Sequence, residues 1–243
     1  MKYYWTYEEE LMLEDKAFPL KVGDITHILI YKQDTGQLDL TDLMSLTDFI
    51  QKRYPENSEE VTHEIAEQAI SLLGAYIKEA QKTELKLISS ELHLETEEPD
   101  FFIYGRIDSL GRDGSDYLWR VEHKTTARLD SYFLSGLKSD LQSGIYYHLL
   151  DRTLKESVKG TIFNLLVKTK VPYCQINPVL RSKVIQDRAL KAFEGVARSI
   201  KRGDIYPSGE CFDYGRECDF YQLCNHPTEE VKQAFYKKRE RKN

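Results

Sequence analysis

Apolar positions in this chain recur first at helical spacing and then at strand spacing. After Gly23, the residues Ile25, His27, Ile28, Leu29 and Tyr31 read as a helix. Over residues 41–54, Leu43, Met44, Leu46, Phe49 and Ile50 occupy one broad face of a second helical pattern. Pro55-Glu56-Asn57-Ser58 interrupts it, and Asn57 followed three residues later by Glu60 reads as the cap of a third helix. That helix runs to about Gln81 with Ile65, Ala66, Ala69, Ile70, Leu73 and Ile77 as its apolar stripe. Near residue 86 the spacing changes. Leu85–Leu94 alternates loosely, Phe101–Leu110 is rich in aromatic and β-branched residues, and Tyr117–Thr125 follows the turn cluster Gly111–Asp116. Two strands joined by a short polar turn predict an antiparallel hairpin. A helix over 138–154, an apolar strand over Thr161–Val167 and a long amphipathic helix over 181–202 complete the regular pattern. Beyond Gly203 the chain is loop-rich, holds three of its four cysteines and ends in a basic tail.

Composition narrows the setting. Of 243 residues, 41% are hydrophobic, enough for a core and too many for wholesale disorder. No apolar run approaches the roughly 18 residues of a membrane span, so no membrane partner is expected. The N-terminus lacks the basic and then apolar segments of a secretory signal. Four unevenly spaced cysteines do not make a secreted disulfide framework, and a reducing cytoplasm is the expected location. The net charge of −6 argues mildly against a nucleic-acid partner, but the charge is unevenly spread, which either marks a solvated basic tail, the commoner meaning, or permits an anionic partner. Residues 1–100 carry 9 Lys and Arg against 22 Asp and Glu, whereas residues 101–243 carry 25 against 18. The C-terminal half can therefore meet an anionic partner.

Candidate chemistry concentrates in the hairpin. Alternation along a strand puts Glu122 and Lys124 on one face, and Arg106 and Asp108 on one face of the preceding strand. Pairing of the strands can bring Asp108 beside Glu122 and Lys124. On an exposed sheet such residues form ordinary salt bridges. Desolvated together, the two carboxylates raise each other's pKa and cost free energy, which a divalent cation removes. Mg favours carboxylate oxygens, and a neighbouring lysine can orient a water or steady charge on a phosphate. Gln142 and Tyr146 stand four apart on the next helix, hence on one face. Such a pair can be a plain helix surface or can hold a nucleotide backbone. His27, four residues after Gly23, is either structural or a neighbour of a Mg or Mn site.

The order Gly23-x-x-x-His27, Gly105-Arg106-Ile107-Asp108, Val121-Glu122-His123-Lys124-Thr125 and Gln142-x-x-x-Tyr146 resembles the RecB-like branch of the PD-(D/E)XK nucleases. The resemblance spans roughly residues 1 to 226. It implies an α/β fold with a restriction-endonuclease-like core, a mixed central β-sheet flanked by helices, an N-terminal helical segment and a Cys-rich C-terminal segment. It also implies three parts: residues 1–84 with the Gly23–His27 motif, a nuclease core over 85–203, and a Cys-rich segment with the basic tail over 204–243. By that resemblance His27, Asp108, Glu122 and the backbone carbonyl of His123 bind Mg or Mn. Asp108, Glu122 and Lys124 carry catalysis, with Lys124 serving water activation or charge stabilisation, and Gln142 and Tyr146 hold DNA.

Cys211, Cys218 and Cys224 fall within fourteen residues, a spacing that suggests soft-metal ligation. The segment looks like the C-terminal part of the iron–sulfur nucleases of this family, among them the CRISPR adaptation nuclease and phage relatives. There, three such cysteines join an N-terminal one around a 4Fe–4S cluster. This chain has no N-terminal cysteine, although Lys2-Tyr3-Tyr4-Trp5-Thr6-Tyr7 looks like the aromatic-basic run that follows it in the family. Either the start lies inside the ancestral protein or the fourth ligand is lost, and zinc held by three cysteines with His226 is the alternative.

The expected function is therefore a Mg- or Mn-dependent deoxyribonuclease, an exonuclease on single strands or duplex ends in recombination, repair or phage DNA metabolism. Its expected partner is DNA, with helicase or recombination proteins, in a bacterial cytoplasm or a phage-infected cell. The rivals are a non-catalytic DNA-binding or assembly subunit that keeps the fold, and a structure-selective endonuclease.

Overall fold

A computed structural model describes residues 4–13, 17–99, 101–204 and 217–238. Contacts divide the chain into two units, Phe18–Gly195 and Met1–Ala17 with Val196–Asn243. In chain order, a π-helical turn (Tyr4–Glu8) and β1 (Leu11–Leu13) belong to the second of these. The larger unit opens with α1 (Phe18–Asp34), α2 (Leu40–Met44), α3 (Leu46–Arg53) and α4 (Glu59–Ala80).

The single helix predicted over 41–54 is two. A reciprocal cap between Asp39 and Asp42 starts α2, and Ser45 ends it by returning its hydroxyl to the Thr41 carbonyl at 2.8 Å. The cap of α4 is Ser58, whose Oγ accepts the Val61 N–H at 3.3 Å. Asn57 is engaged elsewhere, since its Oδ1 accepts from buried Lys21 at 2.5 Å. The helices pack through most of the predicted apolar positions, but Met44, Phe49 and Ile70 among them are exposed. Val22, Ile25, Leu29 and Ile30 of α1 and Ile65, Ala69 and Leu72 of α4 form one core.

Five strands follow: β2 (Lys86–Glu98), β3 (Phe101–Arg112), β4 (Leu118–Thr126), β5 (Gly160–Val167) and β6 (Tyr173–Leu180). They lie side by side in that order as one mixed sheet, antiparallel throughout except for the parallel β4–β5 pair. The crossover between β4 and β5 carries α5 (Ser131–Leu137) and α6 (Leu141–Thr153), as a parallel connection requires. Alternation along β5 shows helices on both faces. Leu166 joins the α1–α4 core, whereas Phe163 and Leu165 pack with Leu137 of α5. A second core joins Leu94, Ile103, Ile107 and Leu110 of β2 and β3 to Tyr147, Leu149 and Leu150 of α6. The fold is thus mixed α/β with a five-stranded mixed central sheet flanked by helices.

Strand β6 has no counterpart in the sequence reading. Its Pro178 breaks a strand pattern, but β6 is an edge strand, where a missing N–H is tolerated. At its side, Gly160 allows β5 and β6 to close up, because a Cβ there would lie 2.2 Å from the Val179 carbonyl oxygen. Helix α7 (Lys183–Lys201) follows.

The other unit contains α8 (Tyr221–Asn225), α9 (Glu229–Phe235) and β7 (Tyr236–Lys238), which pairs antiparallel with β1. Trp5, Leu11, Phe220, Leu223 and Tyr236 form its core, and Cys218 and Cys224 pack against them. Cys211 lies outside the described residues. Among the described residues no helix is long and apolar enough to cross a membrane.

Candidate active site

Strands β3 and β4 are bridged only from Ser109–Val121 to Arg112–Leu118. Beyond that, β3 continues alongside β2 and β4 alongside β5, so the two strands part where Asp108 and Glu122 stand. Asp108 stays tied across the gap, its Oδ2 accepting the backbone N–H of His123 at 2.7 Å. Opposite it the β2–β3 pairing steps from Leu92–Ile107 to Ser90–Ser109. The intervening Glu91 is held at a φ of 52°, a left-handed conformation costly for a residue with a Cβ, and its carboxylate takes Arg106 Nε at 2.7 Å. A strained backbone position therefore stands beside Asp108.

Glu122 is buried between two cations. Its Oε2 accepts from Arg120 Nη1 at 2.7 Å, and its Oε1 lies 3.7 Å from Lys124 Nζ. Burial raises its pKa against the pull of Arg120, and the charge of Asp108 raises it further. Lys124 Nζ reaches Gln142 Oε1 at 3.5 Å and lies 5.8 Å from the Phe163 ring centroid. Gln142 of α6 thus belongs to the cluster by contact with Lys124. Tyr146, one turn on and partly buried, also makes packing contacts. Its hydroxyl donates to the Arg106 carbonyl at 3.0 Å, its ring lies 4.9 Å from the Arg120 guanidinium, and its edge fills the space a Cβ at Gly105 would take.

Helix α1 closes the site from the other face. Gly23 lets it approach β4, since a Cβ there would lie 2.9 Å from Thr125 Oγ1. One turn later His27 Nδ1 is 3.8 Å from Asp108 Oδ2, and the His27 ring meets the His123 ring edge-on at 5.9 Å. The His123 side chain, which drew no attention in the sequence, is wholly enclosed. Asn164 of β5 is 3.3 Å from its Nδ1, Asp34 of α1 is 3.9 Å from its Nε2, and the Tyr76 ring of α4 stands edge-on at 5.2 Å. Burial holds His123 down to about 4, a neutral imidazole at neutral pH. Burial likewise pushes Asp34 up to about 6, against the Tyr76 hydroxyl that donates to it at 2.8 Å. Tyr76 itself is raised by its own burial.

The sequence-predicted residues His27, Asp108, Glu122, His123, Lys124 and Gln142 are therefore drawn together by α1, β3, β4 and α6. Arg120, Asp34, Tyr76 and Asn164 were missed. For Arg120 a signal existed, because it precedes Glu122 by two residues and so shares its strand face. The others arrive from distant segments and leave no mark in local spacing.

Two carboxylates, a backbone carbonyl and an imidazole form a donor set suited to Mg or Mn in chemistry. Among the described residues no three His, Cys, Asp or Glu side chains already converge as a closed ligand set. Within the site one oxygen of Glu122 is occupied by Arg120 and one oxygen of Asp108 by the His123 N–H. The fit thus rests on donor type and on position at the parting of two strands.

Compared with protein families and with curated proteins, the sequence matches none. Its fold does match solved structures. One is a crystal structure described as that of a candidate exonuclease from Eubacterium rectale, with a TM-score of 0.55 at 15% identity over 88% of this chain and 76% of that one. The protein SSO0001 gives a TM-score of 0.40 at 15% identity over 84% of this chain and 96% of its own. Protein VC1899 from Vibrio cholerae gives 0.25 at 11% identity over 83% and 48%. The first of these likenesses shows that the larger part of the chain adopts a fold also found in a protein described as a candidate exonuclease.

Proposed function

We propose that this chain is a metal-dependent DNA nuclease of the RecB-like PD-(D/E)XK kind, hydrolysing phosphodiester bonds from single-stranded or duplex ends. The observation that carries this reading is the meeting of Asp108, Glu122, Lys124 and His27 where β3 and β4 part. The fold shared with a candidate exonuclease supports it. His27, Asp108, Glu122 and the His123 carbonyl would hold Mg or Mn, which when bound supplies a water of lowered pKa and a Lewis acid. The chain's own groups do the rest. Lys124 places a positive charge beside Glu122 and the phosphate, and its proximity to Gln142 fixes its direction. Gln142 takes the DNA backbone at the rim, while Tyr146 holds α6 against β3 and Arg120.

The test is end-labelled DNA incubated with the full chain. Progressive loss of label with Mn or Mg, stopped by EDTA, is the expected result. DNA bound but uncut across both metals and both strand forms would favour a non-catalytic binding subunit. Cleavage of covalently closed circles would favour an endonuclease.

The C-terminal cysteines form a separate proposal: Cys211, Cys218 and Cys224 ligate a 4Fe–4S cluster. Anaerobic purification should give iron and acid-labile sulfide in near-equal amounts. Zinc alone would instead point to these cysteines with His226.

A further inference from the structure

We infer that Arg120 is a positioning residue that fixes Glu122 and restricts the site to a single divalent cation. The inference rests on the metal-dependent reading above. Arg120 is the largest of the wholly buried side chains, and each of its three nitrogens is spoken for. Nη1 donates to Glu122 Oε2 at 2.7 Å, Nη2 to Ser143 Oγ at 2.7 Å and Nε to Thr161 Oγ1 at 3.0 Å. The acceptors are held in turn. Ser143 Oγ donates to Asp140 Oδ2 at 2.6 Å, the carboxylate that caps α6, and Thr161 Oγ1 lies 2.8 Å from the Tyr147 hydroxyl. The guanidinium is sandwiched besides, 4.9 Å from the Tyr146 ring centroid and 5.9 Å from that of Phe163.

A cation gripped from β4, β5 and α6 cannot swing aside when a metal arrives. A planar guanidinium suits this task, because its fork satisfies three acceptors at once. One face of the Glu122 carboxylate therefore already sees a full positive charge at hydrogen-bond distance, and a divalent ion there would be repelled. Only Oε1, on the Lys124 side, is left. A two-ion centre needs carboxylates that serve both ions about 4 Å apart. Each carboxylate here has one oxygen already committed, Oε2 of Glu122 to Arg120 and Oδ2 of Asp108 to the His123 N–H, which leaves neither with two open oxygens to bridge a second ion. The same grip aims Glu122: held through Ser143 of α6, the helix that also carries Gln142, it turns Oε1 toward Lys124.

The experiment counts ions and separates count from rate. The full chain is titrated with Mn2+, free Mn2+ being read by its electron paramagnetic resonance signal, alongside Asp108→Asn. Ions that Asp108→Asn fails to bind belong to this site, which sets aside any held by the cysteines. One such ion per chain is expected. Two would overturn the single-ion inference while leaving the nuclease reading standing; none, together with no metal-dependent cleavage, would overturn both. For the positioning role, Arg120→Lys keeps the charge and loses the three-way hold. With melting close to that of the parent chain, its kcat should fall about tenfold or more while KM for DNA stays within about twofold. Unchanged kcat in the folded variant would overturn that role. If Arg120→Lys does not fold, Ser143→Ala removes one brace and leaves the Arg120–Glu122 pair, and a fall in kcat of about threefold at constant KM is then the required result.

Discussion

Asp108→Asn should abolish metal-dependent cleavage, lowering the rate at least about a thousandfold, equivalent to about 4 kcal/mol of transition-state stabilisation. The fold should be unaffected. The amide keeps an oxygen to accept the His123 N–H, so the tie between β3 and β4 survives, and the side chain at this position is partly open to solvent. What the variant loses is the negative charge at the parting of the strands, which the proposed cation would need. Glu122→Gln should give a comparable loss of rate, since Gln retains an acceptor for Arg120 but not the charge facing Lys124. Lys124→Ala should also abolish cleavage while leaving Mn2+ binding in place, because the lysine supplies charge rather than ligation. Rates on end-labelled DNA with thermal melts of each variant decide the matter. Cleavage at the parent rate by a folded Asp108→Asn would remove the site assignment.

The part of the site that was legible in the sequence is the part carried by strand alternation. Asp108, Glu122 and Lys124 sit in a hairpin with a short turn, and such pairing follows from local spacing alone. The helical pair Gln142 and Tyr146 was legible for the same reason, although only the structure shows Tyr146 tied to the Arg106 carbonyl. Three kinds of feature were not. The break at Ser45 depends on a side-chain hydroxyl that competes with the helix, and apolar spacing across it is continuous. Strand β6 is stabilised by its pairing with β5 and not by its own composition. The enclosed charges are the hardest. An arginine in a strand reads as solvent-facing, and only the acceptors at Ser143, Thr161 and Glu122, brought from three elements, make its burial possible.

The buried pair of His123 and Asp34 yields the second large effect, on stability against pH, best measured by urea unfolding of metal-free protein. The groups facing His123 are Asp34 and His27 from α1, Tyr76 from α4, Asp108 from β3 and Asn164 from β5. Burial lowers His123 from 6.5 to about 4, so the unfolded chain takes up its proton first on acidification. Its stability contribution is complete above 6.5, declines as the pH falls and is lost below about 4, a change of about 3 kcal/mol. Asp34 runs the other way. Burial raises it from 3.8 to about 6, so its contribution is complete below 3.8 and is lost as the pH rises through about 6. Between about pH 4 and 6 the two slopes oppose each other, and the parent chain gains or loses little from this pair. Asp34→Asn keeps an acceptor for the Tyr76 hydroxyl and removes the buried charge. It should therefore be about 2 kcal/mol more stable than the parent at pH 7.5, with the advantage shrinking through pH 6 and gone near pH 4. His123→Gln should show the opposite trend, its stability relative to the parent improving as the pH falls from 6.5 to 4. A pH-independent difference for Asp34→Asn would mean that Asp34 carries no buried charge in the folded chain. Opposite slopes for the two variants would locate both protons in the wall behind the His123 carbonyl, where α1, α4 and β5 set the backbone that a bound cation would meet.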